Sequence, residues 1–460
     1  MELEGALRWL EAPDPEEDYI AARQRYGQGP PGAGQWFLGS SRYTQWYATK
    51  GSRLWIHGKA GCCKTVLCST IMKDVESLIS QDPSCKPVKF FFTFSDSRKQ
   101  TYRSLLLSLV TQLSRRYYLD PGLAKAYDDR RQPPNDVLEA IVISLVEKYA
   151  RVFCIVDALD ESGYGVEGRQ AVIDGLETLL DQLQGVSFLA TSRPEDDIKF
   201  VMRRLSAESA TIDKHAVDID ISRYVEYRLA RSTLARMSSP LKQKVISTLS
   251  EKADGMFRWA YCQIRSIESL RNFDEVMVMK KLQSLPKDLD ETYERMLLSV
   301  DEDEQTSALT ALRWIAFAER PLTLLELEEA YTFDARSPPP PRKPGGRTIG
   351  GIASVLSGLV TVDTSTNTEN NRGKNRLSDD GFSGVPADGT IWLAHFSVKE
   401  YLISDRIRKS AASFTSATPV AVAATRAMPL GSATPNGERL IYHSHCGATQ
   451  PATGPSTDAG

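Results

Sequence analysis

Long hydrophobic runs are missing from this chain of 460 residues. No stretch approaches the ~18 apolar residues that would read as a spanning helix. The opening Met1-Glu2-Leu3-Glu4-Gly5 lacks the basic start and apolar core of a signal peptide. Cysteine is scarce, with seven residues scattered without paired spacing. That excludes a disulfide framework and points to a reducing compartment, so a cytoplasmic location is expected. Charge of one sign is missing too: 56 Lys and Arg against 59 Asp and Glu leave a net charge of −3. There is no electrostatic case for nucleic acid or a membrane surface as partner. No repeat with a period of roughly 20 to 50 residues is visible, which excludes a solenoid within this sequence. What is present, 41% hydrophobic and 25% charged residues, supplies core enough for two or three domains.

The most informative segment runs from 54 to 65, Leu-Trp-Ile-His-Gly-Lys-Ala-Gly-Cys-Cys-Lys-Thr. It nearly matches the phosphate-binding P-loop, in which a glycine, four residues, a second glycine and a lysine precede Ser or Thr. Gly58, Lys64 and Thr65 fit, whereas Cys63 stands where the second glycine belongs. An apolar strand from Leu54 to His57 delivers the chain to the turn, and a helix is expected to begin near Lys64. Backbone N–H groups there point at phosphate oxygens, with the helix dipole favouring negative charge. The expected nucleotide-binding set is Gly58, Lys59, Ala60, Gly61, Cys62, Cys63, Lys64, Thr65 and Val66. Lys64 would reach the β- and γ-phosphates, and the Thr65 hydroxyl would ligate Mg²⁺. The Cβ and sulfur of Cys63 are expected to strain the loop or partly block it, since glycine alone permits the unusual φ and close approach at no cost.

A partner motif lies downstream, Arg151-Val-Phe-Cys-Ile-Val-Asp157-Ala-Leu-Asp160-Glu161. Its apolar run ending in an acid reads as a buried parallel strand that presents Asp157 at its carboxyl end, the edge where open α/β sheets bind ligands. Asp157 would join Thr65 in holding Mg²⁺. Asp160 and Glu161 are placed to polarise an attacking water. Another strand, Val186 to Thr191, runs into Ser192-Arg193-Pro194, and Arg193 would sense the γ-phosphate. With Val88 to Phe94 as a further strand, repeated β–α units predict a mostly parallel sheet with helices on both faces. The aromatics Trp36, Phe37 and Trp46 read as core or as neighbours of a base.

The chain resembles NACHT-family NTPases of the STAND class, and is most similar to the fungal members that usually carry ankyrin or other repeats. The resemblance rests on residues 54–61, on Ile155-Val-Asp-Ala-Leu-Asp-Glu, and on Ala190-Thr-Ser-Arg-Pro. It continues through Gly255-Met-Phe-Arg-Trp-Ala, residues 285–295 and Ala394-His-Phe-Ser-Val-Lys-Glu-Tyr-Leu, spanning residues 35 to 405. What the resemblance implies is a switch: closed with ADP, when a helical and a winged-helix domain fold over the nucleotide, and open and oligomeric with a triphosphate. His395 then corresponds to a winged-helix histidine that touches the β-phosphate. The implied fold is an α/β P-loop NTPase domain followed by those two domains. The expected boundaries are a lead-in at 1–34, the NTPase core at 35–200, the helical domain at 201–300, and the winged-helix domain at 301–405. A disordered insertion at 335–390 and a low-complexity tail at 406–460 complete the list.

Several finer features follow from the residues. Ile264, Ile267, Leu270 and Phe273 share one helical face. Thr323 and Glu326 form a capping-box signature before Leu327. His443, His445 and Cys446 lack a second ligand pair, so no metal site is expected there. Residues 310–405 show no basic recognition helix, so the winged helix is not expected to bind DNA. No Asn-Lys-x-Asp guanine signature occurs, which favours ATP and ADP over GTP, although fungal relatives leave GTP possible. Weak NTP hydrolysis is expected, with homo-oligomerisation on activation. Other protein partners would act through effector or repeat regions that this sequence does not contain. The alternative is a non-catalytic interaction scaffold in which Cys63 has disabled the loop.

Overall fold

The structure is a computed structural model that describes residues 2–27, 32–114, 118–163, 166–183, 185–270, 274–332, 356, 358–363 and 389–409. Five strands form its first sheet: β1 (Arg53–His57), β2 (Cys85–Phe91), β3 (Arg151–Asp157), β4 (Val186–Ser192) and β5 (Glu208–Thr211). Their order is β2-β3-β4-β1-β5, and every neighbouring pair is parallel. Four of the strands match the apolar runs expected from the sequence, with β2 beginning three residues earlier, at Cys85. Pro87 lies inside β2 and is tolerated because β2 is an edge strand, where a missing N–H can face outward.

Helices cover both faces, as the sequence predicts. Successive side chains of a strand point to opposite sides, so Val152, Cys154 and Val156 enter one core and Phe153 and Ile155 the other. The second face is closed by α2 (Pro15–Gly27), α3 (Gln35–Leu38), α4 (Ser41–Ala48) and α5 (Lys64–Leu78), through Tyr19, Phe37, Trp46 and Ile71. The first face is closed by α1 (Glu2–Trp9), α6 (Tyr102–Leu113), α7 (Pro121–Asp128), α8 (Asn135–Val146), α9 (Val166–Gln182) and α10 (Asp196–Arg204). Residues 1–34 are therefore more than a lead-in: Ala6, Leu10, Tyr19 and Ala22 are buried, and Lys99 Nζ donates to Asp18 Oδ2 at 2.6 Å. The acidic and proline-rich composition conceals two helices that bury Ala6, Tyr19 and Ala22 and leave Ile20 exposed.

Beyond the sheet the chain is helical, with α11 (Lys214–Arg231), α12 (Ser239–Ala253), α13 (Phe257–Glu268), α14 (Glu275–Gln283) and α15 (Leu289–Leu298). Trp259 and Tyr293 are fully buried among them, and the Trp259 indole N–H donates to the Pro286 carbonyl at 3.1 Å. Ile264 and Ile267 are buried as their spacing predicts and Leu270 packs against them, whereas Phe273 lies outside the described residues. The chain continues through α16 (Glu302–Phe317), β6 (Leu322–Thr323), α17 (Leu324–Thr332), β7 (Val360–Asp363), β8 (Thr390–Leu393), α18 (Phe396–Ile403) and α19 (Asp405–Lys409). The three strands form an antiparallel sheet in the order β6-β8-β7. One apolar core runs from Val217 to Ile407 without a break at residue 300.

The capping box is present: Thr323 N–H donates to Glu326 Oε2 at 2.9 Å and Glu326 N–H donates to Thr323 Oγ1 at 3.1 Å. The expected disordered insertion at 335–390 needs correction, because β7 falls within it and pairs with β8, burying Val360. The proline run at 338–341, residues 364–388, the tail at 410–460 and His443, His445 and Cys446 lie outside the described residues. Among the described residues, no helix is long and apolar enough to cross a membrane.

Candidate functional site

The P-loop sequence occupies the turn between β1 and α5. Gly58 N–H donates to the Ser192 carbonyl at 3.3 Å, which seats the loop beside the end of β4. A side chain at Gly58 would meet the Cys62 sulfur at 2.6 Å from its Cβ. Gly61 has φ +76°, a conformation natural for glycine. Cys63 has φ 65° and ψ 33° and caps α5. It adopts the left-handed conformation that the pattern's glycine would supply, at a cost of about 1 kcal/mol. The expected strain is there, and the turn is nonetheless formed. The Cys63 side chain sits in the wall of a cavity with Cys62 and Val66.

Lys64, the first residue of α5, donates through Nζ to the carbonyls of Gly58 at 3.0 Å and Lys59 at 3.1 Å, which holds its ammonium over the loop. Asp157, 1% exposed, ends β3. It accepts from Thr191 Oγ1 at 2.5 Å and is hydrogen-bonded by Thr65 and Cys68. Burial pushes its carboxyl above the ordinary carboxylate range, while the hydrogen bonds from Thr191 and Thr65 and the Lys64 charge act the other way. The structure thus brings together the hydroxyl and carboxylate that the sequence pairs around Mg²⁺. A hydroxyl beside a buried carboxylate is a fitting donor set for a hard cation that keeps most of its waters.

Asp160 and Glu161 follow on the same edge. Asp160 is 7% exposed and accepts from the Arg193 backbone N–H at 3.0 Å, with Arg193 Nε 3.3 Å from its second oxygen. Glu161 accepts from the Phe94 N–H at 3.2 Å. Burial and the neighbouring Asp160 charge push its carboxyl up to about 8, so near neutrality it mostly keeps its proton.

Arg193 is the residue on which the C-terminal segment closes. Its Nη1 and Nη2 donate to the two carboxylate oxygens of Glu400 at 2.6 and 2.9 Å, a bidentate pair. The guanidinium also lies 5.0 Å from the centre of the Phe396 ring, which packs against Phe94 at 5.2 Å. Buried Lys399, one position before Glu400, is held below its ordinary pKa by burial, with the Glu161 charge opposing. So α18 sets Lys399 near Glu161 and Glu400 on Arg193. His395 is the N-cap of α18: its Nδ1 accepts from the Ser397 N–H at 3.1 Å, which puts the ring proton on Nε2 when the ring is neutral.

The helical segment touches the loop as well. Lys59 pairs with Asp254 at the end of α12, and the Arg258 N–H donates to the Gly61 carbonyl at 3.2 Å. The Arg258 guanidinium reaches the Gly358 carbonyl just before β7, so one residue joins loop, helices and second sheet. The cavity beside the loop is walled by Gly34, Trp36, Val66, Ile212, Asp220 and Phe257, among others. Of the three N-terminal aromatics, Trp36 lines it, while Phe37 and Trp46 are buried in the core. Sequence reading did not find Asp220, Arg258 or Glu400. Arg258 and Glu400 stand inside the segments that carry the resemblance; Asp220 has no local signal.

Residues 32–193 match the family model described as nephrocystin 3, N-terminal. The azaphilone pigments biosynthesis cluster protein L of Monascus ruber is 32% identical over 168 residues, 36% of this chain and 32% of that protein. The vegetative incompatibility protein HET-E-1 of Podospora anserina is 24% identical over 341 residues, 70% of this chain and 24% of that protein. The chain therefore spans about a third and a quarter of the length of these relatives. Among solved structures, the Walker-type ATPase PABY2304 of Pyrococcus abyssi overlaps at a TM-score of 0.35 and 13% identity, covering 78% of this chain and 93% of that one. The Aeropyrum pernix ORC1 protein in complex with DNA overlaps at 0.34 and 12%, covering 76% and 86%. Both overlaps are too loose to argue from, and the fold rests on the strand order and the loop.

Proposed function

Since this chain is a P-loop NTPase of the NACHT/STAND kind, we propose that it is a nucleotide-binding signalling switch, held closed with a diphosphate and opened by a triphosphate. The observation that carries the reading is the bidentate pair between Arg193 and Glu400. Arg193 leaves β4 at the phosphate edge, and in an active site it would stabilise charge on the γ-phosphate. With Glu400 on both of its terminal nitrogens, it is turned to the C-terminal segment instead. An arrangement that neutralises the γ-phosphate sensor favours a nucleotide without that phosphate.

The phosphate end follows from the loop. Lys64 and the N-terminal amides of α5 bind the β-phosphate, and Mg²⁺ held by Thr65 and Asp157 would neutralise phosphate charge. Asp160 and Glu161 serve the attacking water, but a Glu161 that keeps its proton and an Asp160 engaged by Arg193 are poor bases, so hydrolysis in this closed form is slow. The winged-helix reading of residues 301–405 is supported by the three-stranded antiparallel sheet with α16, α17 and α18 around it. His395 at the start of α18 carries its neutral-ring proton on Nε2, the form that donates to a phosphate oxygen. Opening would release α18 and free its face, with Phe396, Lys399 and Glu400, for self-assembly.

The test is fluorescent ADP and ATP titrated into the native chain, Lys64→Ala and Cys63→Gly, with GTP as competitor. Native binding that Lys64→Ala abolishes is expected. No native binding, restored in Cys63→Gly, would sink the switch and leave the scaffold alternative.

A further inference from the structure

The wall of the cavity beside the P-loop holds one carboxylate among its described residues, Asp220. It projects from α11, is 6% exposed, and faces otherwise apolar or aromatic lining that includes Trp36, Val66 and Phe257. Its two oxygens differ. Oδ2 accepts from the Gly34 N–H at 2.8 Å. Oδ1 is buried and makes no hydrogen bond, with the largely exposed Arg223 guanidinium in an ion pair with it at 3.8 Å. Burial pushes the carboxyl above the ordinary carboxylate range, against the Gly34 N–H, the Arg223 charge and the Trp36 indole, which lower it. A buried acceptor left without a donor is costly, so an oxygen held this way in a cavity wall needs an explanation.

A carboxylate accepts only, so whatever satisfies Oδ1 must bring a donor. The cavity adjoins Cys62 and Cys63 of the phosphate loop and carries two aromatic rings for a flat partner. We propose that Asp220 reads the base of the bound nucleotide by accepting a hydrogen bond from an exocyclic amine through Oδ1, so that the site selects amino-bearing purines. The inference rests on the nucleotide-switch reading and adds a specificity residue to it. Gly34 fixes the carboxylate by occupying Oδ2, which leaves one oxygen for one N–H. Bases without an amine would bury Oδ1 while leaving it unpaired, and a site built to hydrogen-bond a ligand group discriminates strongly against the analogue that lacks it.

Competition against a fluorescent nucleotide tests this with two matched pairs. ATP is compared with purine riboside triphosphate, which lacks the C6 amine, and GTP with inosine triphosphate, which lacks the C2 amine. In the native chain one amine-bearing member should bind about tenfold or more tighter than its partner, and the pair that responds tells which amine is read. Asp220→Asn keeps an acceptor for Gly34 and turns an NH₂ towards the base, so the preference should vanish or reverse towards a 6-oxo purine. Equal binding within both pairs overturns the inference and leaves the switch standing. A native preference that persists unchanged in Asp220→Asn also overturns it, since another group then reads the base. Failure of every nucleotide to bind the native chain overturns the switch reading and this inference together.

Discussion

The phosphate end of the site and the C-terminal segment proposed to act as its lid are built in opposite ways. At the phosphate end, the loop, Asp157 and Thr191 come from β1, β3 and β4, neighbours in one parallel sheet, and Thr65 from α5 packed on it, with side chains held in two continuous cores. Asp157 is 1% exposed and its hydrogen bonds come from Thr191 on β4 and from Thr65 and Cys68 on α5. At the lid, Glu400, Lys399 and Arg258 arrive from segments far along the chain and act through charge pairs and single hydrogen bonds at a seam. Packed cores have discrete arrangements, whereas an ionic seam can part at modest cost. In the proposed switch, binding thus belongs to the rigid half and state-dependence to the seam.

The sharpest break in this comparison should come from the rigid half. Lys64→Ala removes the one ammonium over the loop, and charge-assisted bonds to phosphate are the strong kind, so ADP affinity should fall about 100-fold by fluorescence titration. A loss of only twofold would move phosphate binding away from the loop. At the seam, Glu400→Gln keeps the shape of the side chain and removes its charge, leaving Arg193 free to turn to the γ-phosphate. Release of fluorescent ADP should quicken about tenfold while the melting temperature changes little. An unchanged release rate would show that the Arg193–Glu400 pair is not what holds the lid.

The same division explains what the sequence made legible. The loop, Asp157 and Arg193 could be read because each sits where an apolar strand ends, and strand, turn and helix start are local signals. Strand β5 escaped because Glu208-Ser-Ala-Thr211 is polar and buries only Ala210, so it has no alternation to detect. The helices of residues 2–27 escaped because their composition reads as a linker. Asp220 and Glu400 could not be found by any pattern. Glu400 lies five residues after His395 in a segment that carries the resemblance, yet nothing local pairs it with Arg193, 207 positions away. Tertiary closure alone gives these two residues their meaning.

A smaller effect distinguishes the two halves by pH. Glu161 lies between them, on the sheet edge and near Lys399, and its carboxyl rises from the ordinary 4.5 to about 8 on folding. The folded chain then keeps a proton that the unfolded chain gives up. The stabilisation this provides is complete below about pH 4.5 and is lost progressively as the pH climbs through 8. Glu161→Gln can still accept from the Phe94 N–H and has no proton to lose. Its melting temperature should match the native value near pH 5 and exceed it near pH 8. Parallel curves for the two proteins across that range would show that Glu161 ionises freely in the fold.

The smallest effect is expected at Cys63, the residue that departs from the motif. Its φ of 65° is the value a glycine would adopt without cost. Cys63→Gly relieves about 1 kcal/mol of backbone strain and gives part of it back through the greater freedom of the unfolded chain. The melting temperature should therefore shift by a few degrees at most. Because the turn is already formed with cysteine in place, and Lys64 already lies over it, nucleotide affinity should change by no more than about threefold, well under 1 kcal/mol. A gain of a hundredfold would place the defect in the rigid half itself. Binding would then depend on the missing glycine, the lid would have no nucleotide to respond to, and the scaffold alternative would stand in its place.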